Sequence, residues 1–126
     1  MKINRVSDLA AFDSTLASVL ASAPGRVFVV VFASEDPTSG QSWCPDCVIS
    51  DPLIRKAILK VPDSTLIEAP AGDRPTWKNP DHPYRKHEEL KATNVPTLYE
   101  FGKDGKVVKT LIERAITEES LALFIQ

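Results

Sequence analysis

The sequence predicts an α/β fold, a central mixed β-sheet flanked by helices on both faces, and three observations carry that prediction. Residues 26–33 read Arg-Val-Phe-Val-Val-Val-Phe-Ala, a continuous β-branched and aromatic run of the kind that fills a strand buried on both sides. Amphipathic helical patterns stand before and after it, and this alternation implies parallel pairing through crossovers. Near the end, Gly102-Lys103-Asp104-Gly105 separates two further β-runs, a hairpin signal that adds antiparallel strands. With 126 residues, the chain is expected to form one domain over 1–126.

Taken in order, Lys2 to Val6 is a candidate minor strand. Ser7 can cap a helix whose apolar face is Leu9, Phe12, Leu16, Val19 and Leu20, closed by Pro24-Gly25. After the central strand, Ser34 to Ser42 carries Asp36-Pro37 and Gly40, turn chemistry in a connection longer than a typical βα loop. A second helix follows through Val48, Ile49, Leu53, Ile54 and Ile58, with Pro52 inside it removing a backbone donor and predicting a kink. Ser64 to Ala69 reads as a short strand. Pro70 to Pro83 holds four prolines, a glycine and Trp77, and reads as a loop without helix. Tyr84 to Leu90 is a short helix, Thr97 to Phe101 and Lys106 to Leu111 form the hairpin, and Thr117 caps a closing helix with Glu118 and Glu119 in its first turn.

Composition narrows the function. Apolar residues make up 43% and charged residues 25%, with a net charge of −2 from interspersed signs. That pattern lacks the basic stripe that a nucleic-acid partner requires. No stretch approaches the ~20 apolar residues of a membrane span. The first 26 residues mix Lys2, Arg5, Asp8 and Asp13 into a periodic pattern and lack the apolar block of a secretory signal, so a cytoplasmic protein is expected.

Both cysteines fall in Trp43-Cys44-Pro45-Asp46-Cys47. Closing so short a loop removes little entropy from the unfolded chain, so the pair is a poor structural staple and redox chemistry is the better use. If Cys44 is the helix N-cap, Pro45 occupies the first helical position, where its missing N–H is harmless. The unpaired N–H groups and positive end of the helix then face the Cys44 sulfur and favour its thiolate. Cys44 is therefore the candidate nucleophile, and Cys47, one turn on and more shielded, the resolving thiol. Asp46 opposes part of this effect, because a neighbouring carboxylate disfavours a second negative charge. Trp43 is expected to pack across the helix start, and Trp77 to anchor its loop.

A zinc site from Cys44, Cys47, His82 and His87 fits poorly, since 34 residues stand between Cys47 and His82. His82 and His87 read instead as solvated surface residues. Asn94-Val95-Pro96-Thr97 is the second element of interest. With a Cys-x-x-Cys upstream in this element order, a cis Val95–Pro96 bond is expected. It would lay the chain against the thiols, block metal capture and leave the backbone beside Val95 and Thr97 to bind an extended substrate.

Trp43-Cys44-x-x-Cys47, Pro52 five residues later, Val95-Pro96-Thr97 and the Gly102/Gly105 hairpin together resemble the thioredoxin superfamily over essentially the whole chain. More narrowly, Ser42-Trp43-Cys44-Pro45-Asp46-Cys47, Pro75-Thr76-Trp77-Lys78-Asn79-Pro80 and Tyr84-Arg85-Lys86 resemble the small family named thioredoxin domain-containing protein 17. The resemblance implies a thioredoxin-like fold and a cytosolic, monomeric disulfide reductase recharged by thioredoxin reductase with electrons from NADPH, with no cofactor bound to the chain itself. It implies cystine, S-nitrosothiols, persulfides and particular protein disulfides as substrates. Cys44 and Cys47 carry over as nucleophile and resolving thiol, and Pro96 as the cis-proline. A glutathione-dependent glutaredoxin is the alternative enzyme, although the Gly-Gly pair expected of its glutathione site is missing. A binding or adaptor module in signalling is the alternative of another class.

Two departures from ordinary thioredoxins stand out. The buried aspartate that they keep behind the second cysteine is replaced by the apolar stretch Val29-Val30-Val31, so proton removal from Cys47 needs another route, with Asp46 or water as candidates. The loops 34–42 and 70–83 are longer, and are expected to flank the cysteines and limit access.

Overall fold

β2 (Val27–Phe32) is the middle strand of a five-stranded sheet, and nearly all of it is buried. The computed structural model describes all residues, Met1 to Gln126. β1 (Lys2–Arg5) and β2 both pair in parallel with β3 (Thr65–Pro70), whereas β4 (Thr97–Phe101) runs antiparallel to β2 and to β5 (Val107–Ile112). The sheet is mixed, as the sequence predicts.

Alternation along β2 builds two cores. Val27, Val29 and Val31 face one side, with Phe12, Leu16 and Val19 of α1 (Phe12–Ser22) packed over them. Phe28 and Val30 face the other, against Ile54 and Ile58 of α2 (Pro45–Leu59) and Phe124 of α5 (Glu118–Phe124). Burying each such side chain contributes about 1.5–3 kcal/mol, and a strand with no polar face has nowhere else to sit. α2 runs through Pro52 and reaches Leu59.

Several boundaries differ from the sequence reading for physical reasons. Asp8, not Ser7, caps the first helical turn, its carboxylate accepting the Ala10 N–H at 2.9 Å, and α1 begins after one 3-10 turn. Residues 70–83 are not helix-free: α3 (Arg74–Lys78) forms there because Asp73 caps it and Pro75 sits in its first turn, where a proline loses no hydrogen bond. The next helix, α4 (Pro83–Lys86), is shorter than expected and starts one residue earlier.

His82 is buried, not solvated. Its Nε2 donates to the Ala71 carbonyl at 2.8 Å and its Nδ1 accepts the Tyr84 N–H at 3.0 Å, so both ring nitrogens are occupied in the neutral form. Trp77 stacks edge-on against it, and Arg85 lies over the Trp77 ring at 3.9 Å. The tryptophan thus anchors its loop. His87 lies elsewhere, 2.7 Å from Asp13.

At the far end of β2, Arg26 makes paired hydrogen bonds to Glu100, at 2.8 and 3.0 Å, and also donates to the Phe124 and Ile125 carbonyls at the end of α5. Glu100 is buried. Arg26→Ala leaves that carboxylate short of a partner and is expected to destabilise the fold by about 2–3 kcal/mol in urea titrations, with Arg26→Lys intermediate because a lysine cannot pair bidentately. A second expectation concerns His82. Burial holds its imidazole below the ordinary range, with the nearby Arg85 charge acting the same way and the Ala71 hydrogen bond opposing both. The unfolded chain takes up a proton below about pH 6.5 that the native ring resists, so stability is full above that pH and falls below it. His82→Gln should flatten this acid slope when urea midpoints are compared at about pH 5 and pH 7.5.

Candidate active site

Ala33, the first residue beyond β2, ties the strand to the start of α2. Its N–H points at the Cys47 sulfur at 3.5 Å, and its carbonyl accepts the Ser42 hydroxyl at 2.7 Å. The Ser42 oxygen in turn accepts the Cys44 N–H at 3.3 Å. Cys44 is the N-cap of α2, in extended backbone, and Pro45 opens the helix. The Cys47 and Val48 N–H groups both donate to the Cys44 carbonyl, at 3.0 and 3.2 Å.

Both cysteines are present as free thiols. The Cys44 thiol reaches the Val95 carbonyl at 3.6 Å, and the Val95–Pro96 bond is cis, as the sequence predicts. Cys44 lines an open groove of about 490 Å³ with Trp43, Asp46, Arg74, Lys78 and Val95. Cys47 lines a separate cavity of about 190 Å³, which Pro96 also lines. Burial pushes the Cys47 thiol up to about 12, with the neighbouring Cys44 sulfur adding to the rise and the Ala33 N–H offsetting part of it.

The two long loops meet beside the thiols. Ser34 and Gly72 exchange hydrogen bonds, Ser34 N–H to Gly72 carbonyl at 3.1 Å and Gly72 N–H to Ser34 hydroxyl at 2.8 Å. The Gly72 carbonyl also accepts the Trp43 indole N–H at 3.0 Å, and Arg74 lies over the Trp43 ring at 4.6 Å. Gly72 has φ +98°, and an added Cβ would stand 2.8 Å from Thr76, so glycine is required here twice over. Trp43 is pinned across the helix start between the two loops.

The 6–125 segment matches the family model described as thioredoxin domain-containing protein 17-like, thioredoxin domain. The chain belongs to this family. Among relatives, it is 49% identical over 87 residues to the thioredoxin-like protein Clot of Arabidopsis thaliana, a match covering 68% of this chain and 63% of that protein. It is 36% identical over 102 residues to the thioredoxin domain-containing protein 17 of Mus musculus, covering 75% and 81% respectively. Of solved structures, a poplar thioredoxin h superposes with a TM-score of 0.65 at 14% identity, covering 99% of this chain and 94% of that one, a likeness of fold. The fold is thus thioredoxin-like, and membership of the family makes the chain a thioredoxin-related oxidoreductase-type domain with its two cysteines side by side.

Not every residue singled out in the sequence lies at the thiols. Cys44, Cys47, Trp43, Asp46, Val95 and Pro96 gather there. Thr97 does not face the groove: it is buried, its hydroxyl donates to the Asn94 carbonyl at 2.7 Å, and its backbone belongs to the β4 ladder with Val31 and Ile112. Its part is to hold the loop behind Pro96. Asp46 turns to the Cys44 groove, where Arg114 stands 3.9 Å away, and it does not line the cavity beside Cys47. Neither histidine joins the cysteines, and nowhere do three His, Cys, Asp or Glu side chains cluster as metal ligands. Sequence reasoning misses Ser42 and Ala33 as site residues. A serine two positions ahead of the helix start is a usable signal for Ser42, since its hydroxyl can take the cap N–H; nothing local marks Ala33.

These surroundings predict unequal reactivity. Iodoacetamide at neutral pH should modify the reduced, folded protein at one thiol per chain, with the label on Cys44 by peptide mapping, because Cys47 stays protonated until the pH nears its raised value. Unfolding in urea should bring labelling to two, and Cys44→Ser should remove the fast reaction.

Proposed function

We propose that this protein is a dithiol-disulfide oxidoreductase acting as a disulfide reductase. The Cys44 thiolate attacks one sulfur of a substrate disulfide lying in the groove beside Val95, and the outgoing half leaves as a thiolate. Cys47 then attacks the Cys44 sulfur of the mixed disulfide and releases the second half, leaving a Cys44–Cys47 disulfide in the protein. Two electrons from an external donor restore the dithiol.

The observation that carries this reading is the unequal setting of two adjacent sulfurs: Cys44 at the mouth of a helix and on an open groove, Cys47 one turn further in against the end of β2. A structural disulfide gains nothing from that asymmetry, whereas nucleophile and resolving thiol require it. Pro45 and Asp46 set the helix start, Trp43 and Val95 line the groove, and Pro96 lines the cavity beside Cys47. Family membership supports thioredoxin reductase as the donor, with NADPH supplying the electrons, and a cytoplasmic, monomeric protein acting on cystine, S-nitrosothiols, persulfides and selected protein disulfides. The narrow range follows from the 70–83 loop, whose Arg74, Trp77, Lys78 and Pro80 line the groove.

NADPH oxidation with purified thioredoxin reductase and cystine provides the test. Wild type should turn over, Cys44→Ser should fall to the background rate, and Cys47→Ser should stop after one event with a mixed disulfide on Cys44 visible as a mass increase. Turnover that requires glutathione and glutathione reductase instead would overturn the choice of donor, and no turnover with either system would overturn the enzymatic reading.

A further inference from the structure

The exchange leaves one step without an evident agent. Cys47 must lose a proton as it attacks, yet β2 offers only apolar side chains and Asp46 lines the groove with Cys44. The cavity beside Cys47 supplies the missing chemistry. Besides Cys47, its wall carries Glu35 from the loop after β2 and Asp51 and Arg55 from α2. Asp51 follows Cys47 by one helical turn, so the two lie on the same face of α2.

We propose that this cavity is the proton outlet of Cys47, with Asp51 and Glu35 conducting the proton to solvent through water, apart from the groove that Cys44 lines. The inference rests on the reductase reading above. As the Cys47 sulfur forms its bond to Cys44, the bond from Cys44 to the substrate sulfur breaks and its electron pair leaves on that sulfur. The Cys47 proton passes to a water in the cavity and past the carboxylates to bulk. No other reactant is consumed.

The charged groups around the cavity hold both carboxylates in place. Arg55 donates from Nε to both Asp51 oxygens, at 3.0 and 3.1 Å, and also pairs with the buried Glu68 of β3. Arg5 of β1 donates to both Glu35 oxygens, at 3.0 and 2.9 Å, and to Glu68 at 3.1 Å. Hydrogen bonding from Arg5 holds the Glu35 carboxyl below the usual carboxylate range, against the opposing effect of its burial. The two arginines therefore bracket Glu68 and leave one carboxylate each at the cavity wall. Fixed negative charge there stabilises a proton in transit, which couples proton loss to bond formation. Asp51 and Glu35 act at one remove, through water, as positioning residues.

The two steps can be timed separately with 5,5′-dithiobis(2-nitrobenzoate), whose first thiolate is released when Cys44 attacks it and its second when Cys47 closes the ring. Asp51→Asn and Glu35→Gln should each slow the second release, and the double variant should slow it roughly 10- to 100-fold. The first release should keep its rate, the closure step's pH profile should move upward, and Asp51→Glu should restore both. Closure rates and pH profiles equal to wild type in the double variant would overturn the proposal, as would equal slowing of both steps, which marks structural damage. Asp51 is exposed, so its substitution leaves the core intact. Wild type that shows no second release at all would instead sink the reductase reading.

Discussion

One backbone residue holds the site together. The N–H of Ala33 meets the Cys47 sulfur and its carbonyl takes the Ser42 hydroxyl, which caps the Cys44 N–H. Strand end, loop end and helix start are thereby fixed to one another by three short-range contacts. Ala33 can serve because β2 is gripped on both faces over its whole length, so the peptide that follows it has little freedom left. The excursion of loop 34–42 between them is closed on itself by the Glu35–Ser42 bridge and by Asp36, and so returns the chain to the same place.

From that junction the two sulfurs diverge. The helix start turns Cys44 toward the groove and the Val95 carbonyl, while the same turn of helix carries Cys47 inward, where loss of water keeps its proton on. Burial, which in most cores only stabilises, here assigns order to two chemically identical groups. Cys44 lines the groove and Cys47 the cavity, and the two spaces share no lining residue. The arginine-bracketed Glu68 is the structural counterpart of this arrangement: a buried carboxylate paired with partners from β1 and α2, which also hold Glu35 and Asp51 in place.

Much of this is legible in residue types and spacing. The unbroken run 26–33 demands a strand with two covered faces, the Gly102/Gly105 segment demands a hairpin, and Cys44-Pro45-Asp46 marks a helix start through the tolerance of proline at the first helical position. The failures have a common cause, which is that the deciding partner is either too short a pattern or too far along the chain. Residues 70–83 read as loop because their prolines outweigh the Asp73 cap, and a five-residue helix has too few periodic positions to show itself. His82 reads as solvated because its neighbours are polar and proline-rich; only the carbonyl of Ala71, eleven residues back, makes a buried imidazole acceptable.

Residue types and their local spacing specify the strand that organises the sheet, the place where α2 begins and the pairing of two cysteines one turn apart at its start, since these depend on a few neighbouring positions. Tertiary structure alone decided what surrounds those atoms: that Thr97 turns away, that Asp46 faces the groove, and that Glu35 and Asp51 share a cavity with Cys47. Burial, hydrogen-bond partners and the side of a cysteine pair on which a carboxylate stands are set by segments far apart in the chain, and no local pattern encodes a contact between them.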